Sequence, residues 1–220
     1  MAYFSDRVDA GKSLAKALSN FVAKNGLVLA IPRGGVVVGF EIAQALRLPL
    51  DVIIPHKLGA PYNPELAIGA ITEDGSTVLD ENLIAYLDVT REYIFEESER
   101  QKIEIKRRLG LYRQNLPSLD LKGKDVIVVD DGIATGSTMK AALLSVKNKG
   151  ATTITVAIPV GPPSTIKELE KRANRVVCLY MPEYFQAIGQ FYDDFSQTTD
   201  DEVIGLLREN RQKLEEMPSR

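Results

Sequence analysis

The chain has one cysteine, one histidine and no long basic run, and each scarcity closes off a class of function. Cys178 alone can form no intrachain disulfide and cannot assemble a thiolate zinc site. His56, equally alone, excludes clustered-histidine metal sites and would be the sole candidate base of a serine hydrolase, whose G-x-S-x-G elbow is also missing. No lysine follows a glycine in the Walker pattern and no G-x-G-x-x-G occurs, which disfavours ordinary nucleoside triphosphate and dinucleotide sites. With a formal net charge of -3 and no basic stripe, nucleic acid is not expected as a partner. No segment approaches the apolar length of a membrane span and Met1 to Lys16 lacks the apolar core of a secretory signal, so a soluble, reducing, cytoplasmic setting is expected.

What is present is 220 residues, 45% hydrophobic, enough for one well-packed α/β domain over 1–220 with appendages and rather short for two. Apolar residues at helical spacing predict a helix over Asp9 to Phe21. Leu27 to Ile31 reads as a strand, Pro32 to Gly35 as a tight loop and Val36 to Leu46 as a helix. Leu50 to Ile54 is a second strand, followed by a Gly/Pro-rich loop from Lys57 to Pro64; Leu66 to Ile71 and Thr77 to Leu79 suggest a hairpin. Thr90 to Arg113 predicts a long, charged, partly exposed helix with Glu96/Arg100 and Glu104/Arg108 at i,i+4. Asp125 to Val129 is the clearest buried strand, then come a helix over Gly136 to Lys149, a strand over Thr152 to Ile158, a break at Pro159 to Pro163, a helix to about Arg172 and a strand over Arg175 to Tyr180. A capping box at Thr199 to Glu202 should start a C-terminal helix over about 200–216. This alternation argues for a mostly parallel sheet flanked by helices.

Ligands of such sheets sit at the carboxyl ends of strands, where a loop leads into a helix whose free N–H groups favour anions. Asp130 to Thr138 lies at such a point: Gly132 and Gly136 allow a tight turn, and Thr135, Ser137 and Thr138 offer hydroxyls to phosphate oxygens. A bare phosphate site would not place two carboxylates in front of it; Asp130 and Asp131 suit a ribose diol or a hydrated Mg²⁺ beside the phosphate. Arg33-Gly34-Gly35 occupies the first strand-to-helix loop, where arginine can clamp phosphate oxygens.

The run Val126-Ile-Val-Val-Asp-Asp-Gly-Ile-Ala-Thr-Gly-Ser-Thr138 resembles the signature of the type I phosphoribosyltransferases: a buried strand, two acidic residues and a Thr-Gly-rich loop. That resemblance implies an α/β type I fold with a mostly parallel sheet, a small hood and a mobile loop. It implies phosphoribosyl pyrophosphate as donor, with Asp130 and Asp131 on the ribose 2′ and 3′ hydroxyls and Ala134 to Thr138 around the 5-phosphate. Arg33, Gly34 and Gly35 would cradle the pyrophosphate, Lys57 would add its charge, and Arg33 and Lys57 would serve as the catalytic pair. Mg²⁺ would be the cofactor, with Asp130, Asp131 and Asp193 as its acidic ligands. Leu58 to Ala70 would be the mobile loop, and the hood would draw on the N-terminus, 159–163 and 181–195, with Phe185 placed to stack on an acceptor ring.

Ala134 stands where oxopurine-using members carry an acid/base aspartate, so the loop looks more like the adenine type. From Phe4-Ser5-Asp6-Arg7 to Asp194-Phe-Ser-Gln-Thr-Thr-Asp200 the chain looks like a group of bacterial and archaeal phosphoribosyltransferases of unassigned acceptor. The expected function is Mg²⁺-dependent transfer of ribose 5-phosphate to a nitrogen acceptor, a nucleobase or related small molecule, by a homodimer. The alternatives are a regulatory protein that binds the donor without transfer, and a hydrolase that uses water.

Overall fold

The computed structural model describes residues 3–21, 25–114 and 117–216. Its first half runs through α1 (Arg7–Ala17), β1 (Gly26–Ala30), α2 (Gly34–Leu46), β2 (Leu50–Val52), β3 (His56–Ala60), β4 (Asn63–Ile71), β5 (Thr77–Leu79), α3 (Glu81–Tyr86) and α4 (Arg91–Arg113). The second half contains β6 (Asp125–Val129), α5 (Ser137–Asn148), β7 (Thr153–Val160), α6 (Pro163–Glu170), β8 (Arg175–Tyr180), a 3₁₀ turn at Ile188–Phe191 and α7 (Asp200–Glu215).

Five strands form a parallel sheet of order β2-β1-β6-β7-β8. Its central strands are apolar on both faces because both faces are covered. Leu27, Leu29, Val126 and Val128 point into a core shared with Met139 and Leu143 of α5 and Ile166 of α6. Their neighbours Val28, Ala30, Ile127 and Val129 point the other way, against Leu14 of α1 and Val36 and Phe40 of α2. Strands β1 and β6 lie side by side, but the chain leaves β1 toward β2 and leaves β6 toward β7. The crevice between their carboxyl ends is therefore the topological switch point, where open α/β sheets hold ligands.

A three-stranded antiparallel sheet, β3-β4-β5, stands apart from the first. It includes the hairpin expected from Leu66 to Leu79, with Ile71 opposite Thr77. It also corrects the reading of Leu58 to Ala70 as a loop: most of that segment is paired strand. The glycine at position 69 serves packing rather than mobility, since a Cβ there would come within 2.5 Å of the Val78 carbonyl oxygen on the neighbouring strand. Pro159 is likewise no break, because β7 continues through it to Val160.

Helix α4 starts on a Thr90 cap and pairs Glu104 with both Arg107 and Arg108. Arg100, at the expected distance from Glu96, bonds Glu97 instead, at 2.5 Å. The helix is not a wholly solvated face. Its last residue, Arg113, reaches Asp51 at 3.1 Å and the Val52 carbonyl at 3.0 Å, both buried, and fixes α4 to the edge strand β2. The capping box at Thr199 and Glu202 opens α7 as its spacing predicts. No described helix is long and apolar enough to cross a membrane.

Candidate functional site

Two loops meet at the switch point. The loop after β6 delivers Asp130 and Asp131, and the loop after β1 delivers Arg33, Gly34 and Gly35 at the start of α2. Their contact is so close that a Cβ on Gly34 would lie 1.9 Å from Asp131 Oδ2, and one on Gly35 would lie 2.9 Å from the Asp130 Cα. Only glycine permits this approach. The peptide bond Pro32-Arg33 is cis.

The carboxylate pair is electrostatically uneasy. Burial, and then the neighbouring Asp131 charge, raise the Asp130 carboxyl well above its ordinary value, although the Asp131 N–H donates to Asp130 Oδ1 at 2.8 Å. Arg7, from the N-terminal helix α1, offsets the charge of Asp131 by donating through Nε to Oδ2 at 2.7 Å. Its Nη1 donates to the Ser196 carbonyl at 2.7 Å and its guanidinium lies 3.9 Å from the centre of the Phe195 ring. Tyr192 donates its hydroxyl to the Asp131 carbonyl at 2.6 Å; burial pushes its phenol strongly upward, so it remains a donor. Arg7 and Tyr192 thus clasp Asp131 from both ends of the chain. Neither was among the residues the sequence singled out; the only signal was the Phe4-Ser5-Asp6-Arg7 opening, whose Asp6 caps α1.

After the carboxylates the chain passes Gly132, Ala134, Thr135 and Gly136 into α5, whose first turn contains Ser137 and Thr138. The N–H groups of this turn have no intrahelical acceptors, which makes it a ready anion site. Thr165 of α6 holds the loop by donating to the Ala134 carbonyl at 2.7 Å. Thr135 and Ser137 line an open cleft of about 720 Å³ together with Lys57 of β3, Lys140, Glu168 and Arg172. Lys57 therefore comes to the phosphate-loop side of the site. Arg33 faces elsewhere: its Nη1 lies 3.7 Å from Asp200 Oδ1 at the start of α7, and that same oxygen accepts from the Tyr112 hydroxyl at 2.6 Å.

The remaining expected residues are dispersed. Asp193 is exposed, and its N–H donates to the Phe4 carbonyl in the pairing that holds the N-terminal segment. No group of three or more His, Cys, Asp or Glu residues able to hold a metal occurs among the described residues, so Asp193 is not drawn to the Asp130/Asp131 pair. Phe185 packs on Phe191, ring centres 5.3 Å apart, within an aromatic group that also contains Phe4, Tyr192 and Phe195. His56 bonds Gln101 of α4 at 2.7 Å, and burial lowers its pKa, which marks a structural histidine. Burial also pushes the Cys178 thiol up to about 11, as befits an inert packed side chain.

A parallel sheet whose switch point carries two glycine loops, a helix N-terminus and a carboxylate pair places the chain among α/β proteins with a ligand site at the carboxyl ends of their strands. Comparison with known proteins narrows the class. Residues 6–196 match the family described as "Phosphoribosyl transferase domain", and the chain belongs to that family, with the type I phosphoribosyltransferase fold. It is 42% identical over 207 residues to proteins named "Putative phosphoribosyl transferase" from two strains of Mycobacterium tuberculosis, CDC 1551 / Oshkosh and ATCC 25618 / H37Rv. That match covers 94% of this chain, which spans about half the length, 47%, of those relatives. A crystal structure from Thermus thermophilus is also 42% identical, with a TM-score of 0.81 over 95% of this chain and 99% of that one.

Proposed function

We propose that this chain transfers ribose 5-phosphate from phosphoribosyl pyrophosphate to a nitrogen nucleophile and releases pyrophosphate. The observation that carries the reading is the junction at Gly34, where a loop suited to a diphosphate abuts the carboxylates suited to a ribose. Asp130 and Asp131 accept from the 2′ and 3′ hydroxyls, while Gly132, Ala134, Thr135, Gly136, Ser137 and Thr138 receive the 5-phosphate at the head of α5. The Gly34 and Gly35 backbone binds the departing diphosphate, Arg33 joins it by turning away from Asp200, and Lys57 adds positive charge.

The donor set suits Mg²⁺ only as a shared ligand. One oxygen of Asp131 is taken by Arg7 and one of Asp130 by a backbone N–H, so few protein oxygens are left for a cation whose shell would be mostly water and substrate. Bound there, the ion would neutralise charge on the leaving diphosphate. The chain itself positions the sugar, holds the diphosphate in line and, through the hood residues beside Asp131, keeps water from a ribosyl centre that becomes cation-like. Phe185, packed on Phe191, and the exposed Tyr184 would serve the acceptor ring, and Ala134 leaves the loop without the acid/base group of oxopurine chemistry.

Pyrophosphate release from phosphoribosyl pyrophosphate and Mg²⁺, measured with and without a panel of nucleobases, tests the proposal. Base-dependent release is the expected result. Base-independent release would make the chain a hydrolase, and tight donor binding without release would make it a sensor.

A further inference from the structure

Arg33 is the one charged side chain of the loop from Pro32 to Gly35, and it leans away from that loop toward an acid. Its Nη1 lies 3.7 Å from Asp200 Oδ1 at the start of α7, and the hydroxyl of Tyr112, near the end of α4, donates to the same oxygen at 2.6 Å. On the reading that the Gly34 and Gly35 backbone holds the departing diphosphate, we infer that Asp200 is a positioning residue. Held in place by Tyr112, it competes with the diphosphate for Arg33 and draws the arginine back when pyrophosphate leaves.

The helix itself does not call for a carboxylate at position 200. The α7 cap is made by Thr199 and Glu202, and Asp201 and Glu202 already set acidic charge against the helix N-terminus. Tyr112 is buried and its hydroxyl needs an acceptor; burial, and then Asp200, push its pKa up to about 12, so it stays a donor. A neutral acceptor would satisfy it, as the Asp131 carbonyl satisfies Tyr192 at 2.6 Å and the Gly59 carbonyl satisfies Tyr93 at 3.0 Å. What a carboxylate adds is charge. Arg107, which also feels that charge, and Arg108 already share Glu104 at 2.7 and 2.9 Å, so Arg33 is the cation that Asp200 engages.

The looseness of the pair suits an exchange. Arg33 and Asp200 are 32% and 43% exposed, so water and salt screen their attraction. A diphosphate offers several charged oxygens in the fork geometry that a guanidinium prefers, and it displaces a single distant carboxylate. Asp200 weakens donor and product by the same factor. The donor also has its ribose and 5-phosphate contacts, whereas free pyrophosphate has neither, so one factor leaves the donor bound and lets the product go.

Calorimetric titration of the full chain with pyrophosphate and Mg²⁺ tests this role. Asp200→Asn keeps an acceptor for Tyr112 and leaves the α7 cap intact while removing the charge. It should tighten pyrophosphate binding about fivefold, a gain that shrinks as salt rises from about 0.05 M to about 0.5 M. Damage to the fold would weaken binding instead. In an Arg33→Met background, where pyrophosphate should bind about tenfold more weakly, the same substitution should change the dissociation constant by less than about twofold, because no arginine is left to compete for. Equal dissociation constants for wild type and Asp200→Asn, or a gain undiminished without Arg33, would overturn this role and leave the diphosphate site standing. Failure of wild type and variant alike to bind pyrophosphate would overturn the diphosphate site with it.

Discussion

The floor of the candidate site consists of two short continuous loops, one after β1 and one after β6, each following its strand directly into a helix. Its roof consists of Arg7, Tyr192, Phe195 and Ser196, which meet only because the two ends of the described chain fold back over Asp131. The floor makes its contacts through backbone groups and paired carboxylates, so its composition is constrained residue by residue. The roof makes its contacts through long side chains that reach across the molecule. A binding surface is thus specified locally here, whereas its enclosure is specified by tertiary structure.

Substitutions on both sides test that division. The largest effect should come from the floor: Asp130→Asn with Asp131→Asn should lower pyrophosphate release by roughly a thousandfold or more. Asp130→Asn alone should lose activity yet melt a few degrees higher at neutral pH. The sign follows from a folded-state pKa that is raised: wild-type stability falls as pH climbs from the ordinary 3.8 toward the raised value, so the gain from asparagine should vanish on acidification. Thermal melts across pH would check this, and a variant no more stable than wild type at neutral pH would contradict it.

Gly34→Ala comes next. A methyl group 1.9 Å from Asp131 Oδ2 must separate the two loops, which should cost about 2 kcal/mol in denaturant unfolding and about a hundredfold in turnover. Arg7→Met probes the roof. Arg7 and Asp131 are 11% and 13% exposed, so parting them should cost about 2 kcal/mol, less than a fully buried pair. At saturating donor, turnover should stay within about tenfold of wild type; a collapse to the level of the Asp130 variants would erase the distinction between floor and roof. Smallest of all, Thr199→Ala should cost about 1 kcal/mol of stability by removing the α7 cap, with turnover unchanged.

The legibility of the molecule follows the same line. Strands β6 and β8 and the α7 cap were readable because hydrophobic runs and capping chemistry are local. The loops after β1 and β6 were readable for the same reason. The segment from Leu58 to Ala70 misled because glycine and proline usually mark loops, and nothing in the segment itself announces that Val78 will lie against Gly69. Arg100 could pair with Glu96 or Glu97 at allowed helical spacings, and side-chain geometry chose the latter. Nothing local marks the pairing of Arg7 and Arg113, because their partners, Asp131 and Asp51, are distant in sequence. Asp193 has the chemistry of a metal ligand, but among the described residues it completes no group of three or more such side chains.

The Arg7 clasp also sets an order in time. Its two anchors lie 124 and 189 residues downstream. On a ribosome adding about 5–20 residues per second, the arginine waits roughly 10–40 s for the Ser196 carbonyl that completes its grip. Over that interval β1 and β6 can pair and bring the glycine loops together while the carboxylates still lack their cover. The nascent chain can therefore bring the two binding loops together before Arg7 completes its grip, so the cover over the carboxylates follows the cradle.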